Sequence, residues 1–147
     1  MATIYKHGEL GQIERLTHKV CYCADGKILK NYGHGWKVWG KVKPGIDPKA
    51  HFEKCKAKYA EKLATMPAFA AWRKALHDNF SLKNRVLALE SIKMLGDDFD
   101  GAWASLDDYG IKVNFDDFML VCEAYKAACN EARIFEQNKI DNNAGLA

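Results

Sequence analysis

Long apolar runs are missing from this 147-residue chain, and with them any segment of the length needed to span a bilayer. The N-terminal residues do not read as a secretory leader, because Lys6, His7 and Glu9 interrupt them. The five cysteines, Cys21, Cys23, Cys55, Cys122 and Cys129, are odd in number and lack the spacing of a secreted disulfide framework. A reducing, cytoplasmic setting is therefore expected. Proline is scarce, with only Pro44, Pro48 and Pro67, so each one marks a boundary. Internal repeats and low-complexity segments are absent. So is any sequence motif for catalysis or cofactor binding. Gly33-x-Gly35 is not followed by the helix start that a phosphate-binding loop requires, and it reads as a turn. No cofactor is expected.

What the chain does have is an uneven distribution of charge. Residues 1–62 carry thirteen Lys/Arg against six Asp/Glu, whereas residues 63–147 carry nine against thirteen. A basic half joined to an acidic half points to a partner for one of them. The stretch from Thr17 to Lys43 is the most one-sided, with six lysines, two histidines, four large aromatics and a single acid, Asp25.

That stretch reads as a β-meander. His18 to Cys23 forms a strand, and Asp25-Gly26 supplies the positive φ angles of a tight hairpin. Lys27 to Tyr32 forms the next strand, Gly33-His34-Gly35 reverses the chain, and Trp36 to Lys43 forms a third. Thr3-Ile4-Tyr5 fits a short additional strand, since Gly8 and Gly11 argue against an early helix.

Helices follow. Asp47-Pro48 opens one in the preferred way, Asp as cap and Pro at the first turn, with Phe52, Cys55, Tyr59 and Leu63 as its apolar stripe. Pro67 to Asn79 forms a second, with Phe69, Trp72 and Leu76 inward. A third, Leu82 to Leu95, is capped by Ser81 and ended by Gly96. Its apolar residues surround it, which places it at the centre of the core. A fourth starts at Asp98 or Asp100 and stops at Gly110. The longest begins at Asn114 and should fray near Asn138. Its stripe of Phe118, Cys122, Tyr125, Cys129 and Ala132 makes both cysteines core residues. Residues 141–147 form a disordered tail. The class is α+β: a three-stranded antiparallel meander, or a four-stranded one, packed on about five helices in a single domain. Residues 1–46 are its basic sheet, and residues 47–140 its helical part, acidic towards the end.

Strand alternation assigns the third strand's side chains to faces. Trp36, Val38 and Val42 share one, and Lys37, Trp39, Lys41 and Lys43 share the other. If the valines face inward, Trp39 stands in solvent among lysines. Ammonium groups neutralise phosphates and an exposed indole stacks on an unpaired base, so the pattern suits nucleic acid. The binding residues expected on this reading are Lys19, Lys30, Lys37, Trp39, Lys41 and Lys43, joined by Lys54 and Lys58 from the following helix.

The leading expectation is a non-catalytic module that contacts nucleic acid. The alternative is a small protein-binding inhibitor or adaptor anchored by Trp39, such as a phage or mobile-element factor docking on a larger nucleic-acid-handling or defence protein. Seven aspartates between Asp97 and Asp117 serve either as helix caps or, in the adaptor reading, as phosphate mimics. An enzyme whose residues assemble across space is a third reading, without a named site.

Cys21-x-Cys23 and His51-x-x-x-Cys55 together offer four soft ligands for zinc. The layout is loosely similar to the SWIM-type zinc module, but the second pair is reversed in order and more widely spaced, so the motif is not met. The competing role for Cys55 is a small core residue.

Overall fold

The computed structural model describes residues 2–95 and 98–146. The chain is α+β, with a four-stranded antiparallel sheet followed by helices. The elements are α1 (Ala2–His7), β1 (Glu9–Glu14), β2 (Lys19–Cys23), β3 (Lys27–Asn31), β4 (Trp36–Lys41), α2 (Pro48–Thr65), α3 (Pro67–Asn79), α4 (Arg85–Leu95), α5 (Phe99–Asp108) and α6 (Phe115–Leu146). A single 3-10 turn, Leu82–Asn84, precedes α4. The chain divides into two compact units. One comprises Met1–Glu61 with Phe80–Glu90, the other Lys62–Asn79 with Ser91–Ala147.

In the first unit the strands run in sequence order, β1-β2-β3-β4, each antiparallel to the next. The fourth strand is β1, lying where the sequence offers two glycines. The short strand expected at Thr3-Ile4-Tyr5 is instead helical. Ile4 of α1 is buried with Cys21, Cys23 and Leu29, so packing of one side chain fixes this segment more firmly than its propensity does. The β2–β3 hairpin forms, with Gly26 at positive φ (+91°) but Asp25 not: Lys27 N–H donates to Asp25 Oδ1 at 2.9 Å, and Gly26 N–H to the Cys23 carbonyl at 3.0 Å, so Ala24 and Asp25 take the centre of the turn.

Alternation divides the buried residues of the sheet between two faces. Cys21, Cys23 and Leu29 lie on one, with Ile4 and the partly buried Trp36 packed against them. Val20, Tyr22 and Ile28 lie on the other, where the Tyr22 ring meets Phe52 of α2 at 5.3 Å and His51 at 5.9 Å. The approach of α2 depends on Gly11. A Cβ at that position would stand 2.4 Å from Cζ of Phe52, so only a bare backbone lets the ring lie on β1. Near the end of the sheet the buried guanidinium of Arg85 donates to Glu14 Oε1 at 3.0 Å and to the Phe80 carbonyl at 3.3 Å.

The second unit is built on α3 and α6. Trp72 packs edge-on against Tyr125 at 5.3 Å. The two carboxylate oxygens of Glu131 accept the free amides of Ala68 and Phe69 at 2.8 and 2.9 Å, so a residue far along the chain caps α3. Leu106, Phe118, Val121 and Cys122 are fully buried.

Helix starts follow the local capping chemistry. Asp47 accepts from Ala50 N–H, Asp98 from Gly101 N–H, and Asn114 from the amides of Asp116 and Asp117. Ser81 makes no such bond, and the chain enters α4 through the 3-10 turn. α4 is not enclosed on all sides, since Met94 is 83% exposed and Leu87 is exposed as well. Its buried line is Arg85, Ala88, Ser91 and Ile92, one stripe at helical spacing that holds a paired cation, two small residues and one large apolar side chain. On α6 the buried stripe runs Phe118, Val121, Cys122 and Ala128, leaving Cys129 exposed. Cys129 instead lines a surface cleft with Tyr125, Lys126, Asn130 and Arg133, so the cover that seals Cys122 does not reach it. The helix continues past Asn138 to Leu146, where fraying and a disordered tail were expected. Once begun, a helix gains a hydrogen bond with each residue fixed, and Gln137 adds a bond to Asp141 one turn on. The proposed stop at Gly96 lies outside the described residues.

Candidate nucleic-acid interface

The site lies at the β4 edge of the sheet in the first unit. β3 and β4 pair Lys27 with Lys41, Ile28 with Gly40, Leu29 with Val38, Lys30 with Lys37 and Asn31 with Trp36. Between Ile28 and Leu29 the register jumps from Gly40 to Val38, so Trp39 is an extra, unpaired residue in a β-bulge. A bulge interrupts alternation, and this changes which side chains share a face.

Trp39 is 65% exposed, as its sequence position suggested. Inward-facing valines are not the cause, because Val38 is 54% exposed rather than covered. β4 is an edge strand with a neighbour on one side only, and of its early residues it is Trp36 that packs on the Leu29 face. Nor do Lys37 and Lys41 share a face. Lys37 pairs with Lys30, while Lys41, beyond the bulge, pairs with Lys27 on the Leu29 side. Lys19 also lies on that side, paired with Asn31. Lys43 follows the end of β4, and Lys54 and Lys58 stand exposed on α2.

Of the expected binding residues the structure therefore gathers three, Lys30, Lys37 and Trp39. They line a cleft of about 280 Å³ together with Val38, Tyr32 and His34. The Lys30 ammonium sits 3.7 Å from the centre of the Trp39 ring, a cation–π contact. Tyr32 and His34 come from the β3–β4 turn. Asn31 Oδ1 holds this turn by accepting from Gly33 N–H at 2.7 Å and Gly35 N–H at 3.2 Å. The same two residues, with Lys83, Val86 and Leu87, line a second cleft of about 450 Å³. Sequence reading missed Tyr32, His34 and Lys83. The first two flank the predicted turn, but nothing local connects Lys83 to it.

The electrostatics are uniformly positive. No carboxylate lines either cleft, and among the described residues Lys37 and Lys83 make no ion pair. Burial and the nearby Arg15 lower the Lys30 pKa from its ordinary value. His18 stacks on Tyr32 at 4.8 Å, and its pKa falls to about 4 through burial first, then through Lys30 and Arg15. His18 is thus neutral in the folded protein at neutral pH. Between about pH 6.5 and 4 the unfolded chain takes up a proton at this histidine that the folded one refuses, so stability falls with pH across that window. Chemical denaturation at several pH values should show this decline, and His18→Phe should remove part of it.

The two ligand pairs considered for zinc are separated. Cys21 and Cys23, with sulfurs 4.0 Å apart, lie in the Ile4–Leu29 cluster. His51 and Cys55, 3.5 Å apart, lie on the side of Tyr22. The sheet stands between them, and no group of three or more ligating side chains occurs among the described residues. Burial, with Cys23 adjacent, pushes the Cys21 thiol up to about 12, and burial raises Cys122 to about 11, so neither is a ready nucleophile near neutral pH. Several aspartates of the acidic stretch have local partners: Asp98 caps α5, Asp116 and Asp117 occupy the first turn of α6, and Asp107 pairs with Lys112. Asp97 lies outside the described residues. Among these residues no helix is long and apolar enough to cross a membrane.

Comparison with protein-family models, curated proteins and solved structures finds no match.

Proposed function

We propose that the protein is a non-catalytic binding module that contacts nucleic acid through the basic Trp/Lys edge of its sheet. The observation that carries this reading is the facing pair Lys30–Lys37 beside the exposed Trp39, in a cleft without a carboxylate. Like charges directly opposite each other in a sheet are destabilising. Besides Lys27–Lys41 on the other face of the same hairpin, Lys30 and Lys37 form such a pair in the cleft. A phosphate backbone relieves that repulsion, and the indole beside it offers a stacking surface for a base.

The cost of the lysine pair makes the reading testable in two directions at once. Lys37→Glu replaces repulsion by attraction to Lys30, so the fold should become more stable by about 0.2–1 kcal/mol while nucleic-acid binding is lost. Lys41→Glu should stabilise similarly through Lys27 and leave binding largely intact, since it projects from the opposite face. Denaturation curves and oligonucleotide titrations of the two variants decide the matter. If Lys37→Glu stabilises the protein and binding persists, the face is not the contact surface. Capture of a protein rather than nucleic acid through Trp39 would favour the adaptor reading.

A further inference from the structure

Building on the nucleic-acid reading, we infer that the ligand is a single strand, not a duplex, and that it runs along the two joined clefts. One base rests on Trp39 in place of the Lys30 ammonium, and the backbone passes Tyr32 and His34 to reach Lys83.

Three features lead to this assignment. The first is the bulge. By turning Lys37 and Lys41 to opposite sides of β4, it removes the broad, flat row of ammonium groups that would match the phosphates of a double helix. What remains is a cleft at the strand edge in which Val38, Trp39 and Tyr32 stand beside Lys30 and Lys37. The second is the exposure of aromatic rings inside it. Trp39 and Tyr32 are both open to solvent, and a base can stack on such a ring only when it is free of its partner strand. The third is continuity. Tyr32 and His34 line both clefts, so the path from Trp39 to Lys83 is unbroken, with Lys30 and Lys37 at one end and Lys83 at the other.

The fold holds this path together. Gly33 lies against the backbone of Lys83, leaving no room even for a Cβ, so the β3–β4 turn and the 3-10 turn are fixed to each other. Lys30 has a distinct part. In the free protein its ammonium covers one face of Trp39. An arriving base displaces it, and the released cation is then close to the phosphate that follows that base. Ring and lysine thus exchange partners in one step.

The test uses the full chain with oligothymidylate of about eight nucleotides, within the range of known single-strand sites, and a duplex of equal length. Binding is followed over a series of salt concentrations. The expected result is tighter binding of the single strand, a fivefold or greater loss in Trp39→Ala, and a log–log salt slope shallower by about 0.7 in Lys83→Gln, as for one lost phosphate contact. Lys83 is exposed and the packing on Gly33 involves its backbone and Cβ, both kept in glutamine, so the variant should fold. Equal or tighter duplex binding would overturn the single-strand assignment while leaving the nucleic-acid reading standing. An unchanged slope in Lys83→Gln, with Lys37→Gln reducing it, would overturn the path alone. No binding of either probe at low salt would remove both the path and the function beneath it.

Discussion

Gly33→Ala should destabilise the first unit by about 3–5 kcal/mol, whereas Gly35→Ala, two residues on, should cost only about 1–3 kcal/mol. The two glycines have nearly the same backbone, with φ of +103° and +104°, a region L-residues rarely enter. Strain alone would therefore make the substitutions equivalent. Their surroundings differ. A Cβ on Gly33 would lie 2.4–2.5 Å from Cα, Cβ and N of Lys83, whereas nothing stands within 4 Å of one on Gly35. The obstructing atoms belong mainly to backbone and have no rotamer by which to withdraw, so the extra cost of the first substitution measures the contact between the two turns. Because that contact joins the clefts, Gly33→Ala should also weaken oligonucleotide binding under conditions where the protein stays folded. Urea denaturation of both variants checks the first point. Equal losses would mean that the turns are not held together as described.

Arg85→Ala should cost about 2–3 kcal/mol, near the lower end of what loss of a buried pair usually produces. The guanidinium is almost wholly enclosed and serves two acceptors, Glu14 and the Phe80 carbonyl. Its removal leaves the carbonyl short of a donor and opens a space beside the last residue of β1. Glu14 keeps about a third of its side chain in water, so its charge is not stranded, which moderates the penalty. Arg85→Met fills the same space without the charge and should recover at least half of the loss. Glu14→Gln alone should cost less than about 1 kcal/mol, as expected for an ion pair with one solvated partner. A methionine variant no better than alanine would show that the charge, and not the volume, is what this position requires.

Where structure is decided locally, it could be read from the sequence. Asp47-Pro48, Asp98 and Asn114 start their helices because an Asx side chain reaches amides two or three residues on, and Asp25-Gly26 closes a hairpin through bonds among its own residues. The α+β class follows from the same signals. α1 was not legible, because Ile4 finds its place only when Cys21, Cys23 and Leu29 are assembled. Capping of α3 by Glu131 is likewise a contact between distant parts of the chain.

The candidate edge was half legible. Lysine enrichment and the exposure of Trp39 could be read, but the assignment of faces rested on an unbroken period of two. The bulge breaks it, and its one local sign is Gly40, a glycine within a strand. From that single shift follow the separation of Lys37 from Lys41 and the reduction of a broad basic face to a cleft. Lys83 joins through the packing of Gly33, which no spacing in the sequence reveals.

The most direct test of the central claim is a low-salt titration of the intact protein with single-stranded oligonucleotide, followed by tryptophan fluorescence and repeated with Trp39→Ala and Lys37→Glu. The expected result is saturable binding that weakens as salt is raised, a loss of about 1–3 kcal/mol on removing the indole, and loss of binding on reversing the lysine. Absence of binding at low salt, or binding that both substitutions leave untouched, would contradict it.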